Sequence, residues 1–218
     1  MFIGHFAVAF AAKPLAPGTS LGTLFVACEL VDLLWPVFLL MGLEQIEIRP
    51  GITAFTPLDF VHYPWTHSLA MGVAWALAFG LLVWLVRRKR RAALVVAAVV
   101  LSHWFLDFLV HRPDLPLVPG AEQRFGLGIW NSIPATLLLE GALFGAALLF
   151  YLGRTRAADR AGRWGLWLTV GLLLAAYAGA AFGPPPPAVA AIAWAGLLGG
   201  ALAAALGYWV DRHRRLED

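Results

Sequence analysis

Residues 87–111 read RRKRR AALVVAAVVLSHWFLDFLV H, and this stretch decides the fold. Five basic residues, Arg87 to Arg91, precede an apolar run over 92–110. At about 1.5 Å per residue, a helix of that length roughly matches the ~30 Å hydrocarbon core of a bilayer. Two ionisable residues interrupt the run, His103 and Asp107, and His111 stands at its end. Placing such a group at mid-bilayer costs on the order of 2.5–3.5 kcal/mol, so each needs a local reason. The spacing i, i+4, i+8 puts all three on one helix face, drifting about 40° per step. An imidazole and a carboxylate one turn apart can share one divalent ion, by the logic of paired histidines on metalloprotease helices.

Outward from this span, five more runs are long enough to cross a bilayer: 20–43, 67–86, 132–152, 165–182 and 188–210. A seventh apolar stretch, 2–12, is short and stops at Lys13-Pro14. It reads as a half-spanning or re-entrant helix, or a short packed span. No Lys or Arg precedes it, so it is not read as a cleaved signal peptide. Hydrophobic residues make up 61% of the 218 and charged residues only 13%, against about a quarter charged in soluble domains. That balance excludes a disordered chain, a secreted disulfide scaffold and an ordinary water-soluble enzyme. The single cysteine, Cys28, excludes an intrachain disulfide.

The predicted architecture is therefore all-α, a polytopic transmembrane helical bundle with six full spans plus a short N-terminal apolar helix. Residues 1–152 form the core that bears the polar residues, and 153–218 add a C-terminal transmembrane helix pair and a basic tail to the same bundle. That pair has no ionisable residue inside its spans and reads as scaffold or oligomer contact. Gly141/Gly145 and Gly196/Gly200 have the small-xxx-small spacing that lets membrane helices approach closely, so the Gly-rich helices are the expected route to any oligomer. The lipid bilayer is the expected partner.

Basic residues orient the bundle. Lys13, Arg87 to Arg91, the arginines at 154, 156, 160 and 163, and those at 212, 214 and 215 fall on one side. Of the 16 Lys and Arg, only Arg49, Arg112 and Arg124 fall on the other. The positive-inside rule then predicts an N-terminus outside and a cytoplasmic C-terminus, in a multi-pass protein of a bacterial-type inner membrane. The pI near 9.4 follows from this topology, and no nucleic acid is expected as a partner.

Within or beside the spans lie His5, Glu29, Asp32, His67, His103, Asp107 and Glu140, and none lies in the last two spans. By depth, most of them can meet in one cavity open to the outer face. Glu29 and Asp32 stand at i, i+3, and His62 and His67 flank Tyr63-Pro64-Trp65-Thr66. Thr66 is placed to cap the helix that His67 and Ser68 begin. Imidazole and carboxylate without thiolate suit zinc, manganese or iron. Other readings stand beside this one. His103 with Asp107 fits a structural hydrogen-bonded pair, Glu29 a neutral interface acid, and His62 and His111 interfacial histidines. Trp65, Trp104 and Trp130 fit an aromatic belt as well as a substrate platform.

Three blocks carry a family likeness: Gly4-His5, His62-Tyr63-Pro64-Trp65-Thr66-His67-Ser68, and Ser102-His103-Trp104-Phe105-Leu106-Asp107. Over roughly residues 1–115 the chain resembles the YdjM-type inner-membrane metal-dependent hydrolases, also described as LexA-binding. That family's pattern has Gly-His, Leu-Pro-Asp-x-Asp-His, His-Arg-Gly-x-Thr-His-Ser and Ser-His-x-x-x-Asp. The acidic block departs from it: Leu30-Val31-Asp32-Leu33-Leu34-Trp35 keeps one aspartate and loses the other aspartate and the histidine. Tyr63-Pro64 replaces Arg-Gly. The ligand order is also distantly similar to the zinc-dependent phospholipase C and nuclease superfamily, which implies phosphoester hydrolysis.

The expected function is a membrane-embedded metal-dependent hydrolase working through a metal-activated water. Expected ligands are His5, Asp32, His67, His103, Asp107 and His111, around a divalent metal, first of all zinc. Glu140, Glu29 and His62 are the candidate catalytic residues, Glu140 or Glu29 as general base or as orienter of a ligand. A site at outer-leaflet depth suits a lipid or other amphiphilic phosphoester substrate. The alternatives are a proton- or ion-coupled transporter and a non-catalytic protein with a structural metal site.

Overall fold

Ser20, Ser68, Ser132 and Asp159 each stand just before an apolar run, and each side chain accepts a backbone N–H from the first turn of the helix that follows. A computed structural model describes residues 1–217. Its helices are α1 (Ile3–Ala12), α2 (Leu21–Cys28), α3 (Leu30–Leu40), α4 (Pro64–His67), α5 (Leu69–Arg87), α6 (Arg90–Val110), α7 (Ile133–Gly153), α8 (Arg160–Phe182) and α9 (Val189–Arg212). Five of them, α5 to α9, are long and apolar enough to cross a membrane. Their outward faces leave Leu77, Leu81, Trp164, Trp167, Trp194 and Leu198 exposed. Uncovered apolar surface on that scale fits a hydrocarbon surround rather than water.

The structure differs from the predicted six full spans at 20–43. That run is two helices, α2 and α3, bent by 53° at Cys28 and Glu29, so it counts as a sixth span only as a broken one. Nor is the fold purely helical. β1 (Gln45–Ile48) pairs antiparallel with β2 (Leu58–His62), β3 (Leu115–Pro116) with β4 (Arg124–Phe125), and β5 (Thr155–Ala157) with β6 (Arg214–Leu216). These ladders satisfy backbone groups where the chain leaves the helices. The first two gather segments 44–66 and 111–131 at one end of the bundle. The third ties the α7–α8 connection to the residues after α9, at the opposite end.

The short α1 is the centre of the bundle. Ile3, Phe6 and Phe10 are buried, and Phe10 packs edge-on against Phe25, Phe144 and Tyr151. Burial on all sides suits a helix that is apolar all round. Its first turn lies beside α6 and α7, which brings His5 to the helix that carries His103 and Asp107.

Two close approaches fix α9. A Cβ on Gly22 would lie 2.5 Å from the Tyr208 ring and 2.7 Å from the Ala204 carbonyl oxygen, and one on Gly207 would lie 2.9 Å from Gly22 Cα. Replacing Gly22 by Val is expected to separate α2 from α9 and cost about 1–3 kcal/mol, read as a lower unfolding temperature in detergent. An unchanged midpoint would remove this contact from the account. Gly200 and Gly196 meet Leu33 and Pro36 in the same way. That small-residue pair is therefore used inside the chain, against α3. The Gly141/Gly145 pair faces open space.

Candidate metal centre

The predicted ladder on α6 places its side chains together. His103 Nε2 lies 3.1 Å from Asp107 Oδ2, and His111 Nε2 lies 3.9 Å from the same oxygen. From α1, His5 Nε2 reaches Asp107 Oδ1 at 3.1 Å, and the His5 ring stacks on His103 with centroids 3.6 Å apart. At the end of α4, His67 Nε2 lies 3.1 Å from Asp32 Oδ1 and 3.8 Å from Asp107 Oδ2. Asp32, in the first turn of α3, also stands 3.7 Å from His103 Nε2. The Met1 amine donates to Asp107 Oδ1. Two overlapping sets, His5/His103/Asp107 and Asp32/His67/His103, each have ligand atoms close enough to hold one metal ion. All but Asp32 are buried.

Hydrogen bonds behind the rings assign the tautomers. His103 Nδ1–H donates to the Cys28 carbonyl at 2.8 Å. That acceptor is available because α2 ends there, so the helix break serves the site. His111 Nδ1–H donates to Asp114 Oδ1 at 2.9 Å. The Thr66 hydroxyl gives its one proton to Glu44 Oε2 at 2.8 Å, so it accepts from His67 Nδ1–H at 2.7 Å. All three rings therefore aim Nε2 at the carboxylates of Asp107 and Asp32, with His67 Nε2 at hydrogen-bonding distance, 3.1 Å, from Asp32 Oδ1. A neutral ring so placed presents a lone pair to a carboxylate at 3.1–3.9 Å, a contact that repels unless a cation, or the second proton of an imidazolium, lies between them. His103 Nε2 is buried with no hydrogen-bond partner among the described residues, and with Nδ1–H bonded from behind it could serve as a metal ligand. The residues fit a divalent ion, and the donor set of nitrogen and oxygen suits zinc, manganese or iron. The one thiol is turned away, Cys28 Sγ donating to the Phe25 carbonyl. Beside His67 and His103 lies a cavity of about 10 Å³, also lined by Val31, Gly72 and Val100. That is close to the smallest space that holds a water molecule.

The remaining predicted residues are placed differently. Glu140 is buried, and its Oε2 accepts the Phe2 and Gly4 backbone N–H groups at 2.8 and 3.2 Å. It caps α1 from α7 and so sets the position of His5, while Oε1 has no partner among the described residues. Glu29 sits at the break between α2 and α3, its Oε1 4.0 Å from Cys28 Sγ. His62 ends β2 with an exposed side chain, outside the cluster. Thr66 does not cap α5, since Ser68 does, and its hydroxyl is the link between Glu44 and His67. Trp104 and Trp130 are buried beside the site, whereas Trp65 is exposed.

Two groups escaped the sequence reading. Glu44 is buried, and its Oε1 also accepts the Trp65 and Thr66 backbone N–H groups, each at 2.9 Å. It therefore pins the turn that presents His67. Asp114 holds His111 and also accepts the Tyr63 hydroxyl at 2.7 Å and Arg112 Nε at 3.1 Å. Arg112 and Arg49 both pair with Asp59, extending this network away from the bundle. Burial, with the Asp114 carboxylate beside it, holds the Tyr63 phenol well above its ordinary pKa. The phenol thus stays a donor throughout the neutral range. Its spacing three residues after His111 is the signal that could have found Asp114; nothing in the local pattern marked Glu44.

Comparison with family models, curated proteins and solved structures finds no match to this chain.

Proposed function

We propose that the chain is a metal-dependent hydrolase of the membrane, of the YdjM type it resembles, acting on a lipid or other amphiphilic phosphoester. The observation that carries this reading is the set of three imidazoles, each with its Nδ1–H bound from behind and its Nε2 aimed at Asp107 or Asp32. Zinc bound there supplies an activated water at neutral pH. The protein's part is to hold the ligands: Asp107 from α6, His5 through the Glu140 cap on α1, and His67 through Thr66 and Glu44. Glu140 acts in this reading as the orienter of a ligand. The strongly basic end of the bundle is taken as cytoplasmic, which puts the N-terminus and the centre toward the outer face of a bacterial-type inner membrane.

One observation favours a second reading. A span broken beside ionisable groups, as at Glu29 and Asp32, is also how secondary transporters build ion sites. Elemental analysis of the chelator-free, detergent-purified chain, followed by phosphate release from a panel of phospholipids, separates the cases. Stoichiometric zinc, with release that stops on chelation and returns with zinc, is the expected outcome. A metal-free preparation would sink the hydrolase. Metal without release points to a structural site, and ion uptake into proteoliposomes without release points to the carrier.

A further inference from the structure

A second polar cavity, of about 160 Å³, lies at the opposite end of the bundle and takes no part in the metal centre. Lys13, Tyr151, Thr155, Asp211, Arg214 and Arg215 line it. It is several times the ~30 Å³ that one water occupies in the liquid, room enough for a tetrahedral anion.

Its charges do not balance. Lys13 is buried and matched: Nζ pairs with Asp211 at 2.6 Å and donates to the Thr19 and Pro17 carbonyls. Arg214 has only neutral acceptors, the Thr155 hydroxyl and carbonyl and the Gly162 carbonyl, at 2.9–3.3 Å. Neither Arg214 nor Arg215 makes an ion pair among the described residues. A second observation is independent of charge. Tyr151 is fully buried, and its hydroxyl has no hydrogen-bond partner among the described residues. Stranding such a donor away from water is unfavourable, so a ligand that accepts from it gains affinity. The cavity thus combines two unmatched guanidinium groups with an unused hydroxyl donor. The Arg214 guanidinium lies 5.5 Å from the Tyr151 ring centroid, which braces it in place.

We propose that this cavity binds a phosphate group, a lipid headgroup or free phosphate. Phosphate has oxygens enough to accept from the hydroxyl and from the Arg215 guanidinium, which can bind it in a forked pair, while Arg214, whose N–H groups are largely engaged by Thr155 and Gly162, supplies its charge. Lys13 is already neutralised by Asp211, so that carboxylate offsets the lysine and leaves the arginine charges for the ligand. The location suits a headgroup, because basic pockets between spans at the membrane boundary take anionic lipids. Occupation would also clamp the β5–β6 ladder, since the Arg214 side chain bonds Thr155 across it, while in the strands Arg214 is paired with Ala157 and Thr155 with Leu216. Nothing in this inference depends on the metal centre.

The test uses the full chain, stripped of lipid in a neutral detergent. Native mass spectrometry counts bound phosphatidylglycerol against diacylglycerol, which lacks the phosphate. Thermal unfolding is followed as inorganic phosphate replaces chloride at equal ionic strength. Tyr151→Phe keeps the ring under Arg214 and removes only the hydroxyl; Arg215→Gln alters an exposed residue. Expected is retention of phosphatidylglycerol but not diacylglycerol, about tenfold weaker in either variant. Phosphate-dependent stabilisation of the wild type, reduced in Tyr151→Phe, would name free phosphate as a ligand; lipid retention alone would name the headgroup. Equal behaviour of wild type and both variants toward lipid and phosphate alike overturns the proposal.

Discussion

Asp107→Ala is expected to purify without metal, whereas the wild type carries it. Both oxygens of this carboxylate are committed: Oδ1 to His5 and the Met1 amine, Oδ2 to His103, His67 and His111. It is the one group that every imidazole of the cluster faces. Loss of an outer-shell partner alone lowers metal affinity about 10–100-fold, so removal of this shared group must exceed that. The substitution also leaves buried groups without their counter-charge, which costs about 3–5 kcal/mol when one partner of a buried pair is deleted. Elemental analysis reads the first effect and thermal unfolding the second. His62→Ala, at an exposed position outside the cluster, should retain the wild-type metal content. Equal metal in wild type and Asp107→Ala would mean that any bound ion sits elsewhere.

The second large effect is expected at a residue that need not touch the ion. Glu44→Ala strands three donors at once, the Trp65 and Thr66 backbone N–H groups and the Thr66 hydroxyl. Each stranded buried donor costs about 1–3 kcal/mol, so the unfolding temperature should fall steeply. The Thr66 hydroxyl would then be free to turn its proton toward His67 Nδ1 and change the tautomer. Metal affinity should drop about 10–100-fold, and Glu44→Gln, which keeps one carbonyl oxygen, should lose less of both. A large fall in stability with unaltered metal affinity would exclude His67 from the ligand set.

These two residues mark the boundary of what could be read from the chain. Asp107 was legible because a helix has a fixed period: His103, Asp107 and His111 share a face whatever the rest of the protein does. His5, Asp32 and His67 were legible through depth, since a polar group inside an apolar run needs company. Glu44 was not, because its partners lie about twenty residues away, across the β1–β2 hairpin. Its role depends on how that hairpin closes over α4. The Cys28 carbonyl was hidden for a related reason. An unbroken span over 20–43 would have spent that acceptor within its own helix, and only the bend at Glu29 frees it for His103.

By itself the sequence determined the apolar helical character of the bundle, the end that concentrates positive charge and the single face that gathers histidine and aspartate. All three follow from local rules, namely hydropathy over a helix length, charge beside it and a 3.6-residue period. Tertiary structure decided the broken span, the ladders at both ends, the burial of α1 at the centre and the partners that set each imidazole. Those depend on which distant backbone and carboxyl groups reach a given ring, and packing around the close contacts of Gly22, Gly200 and Gly207 sets that geometry.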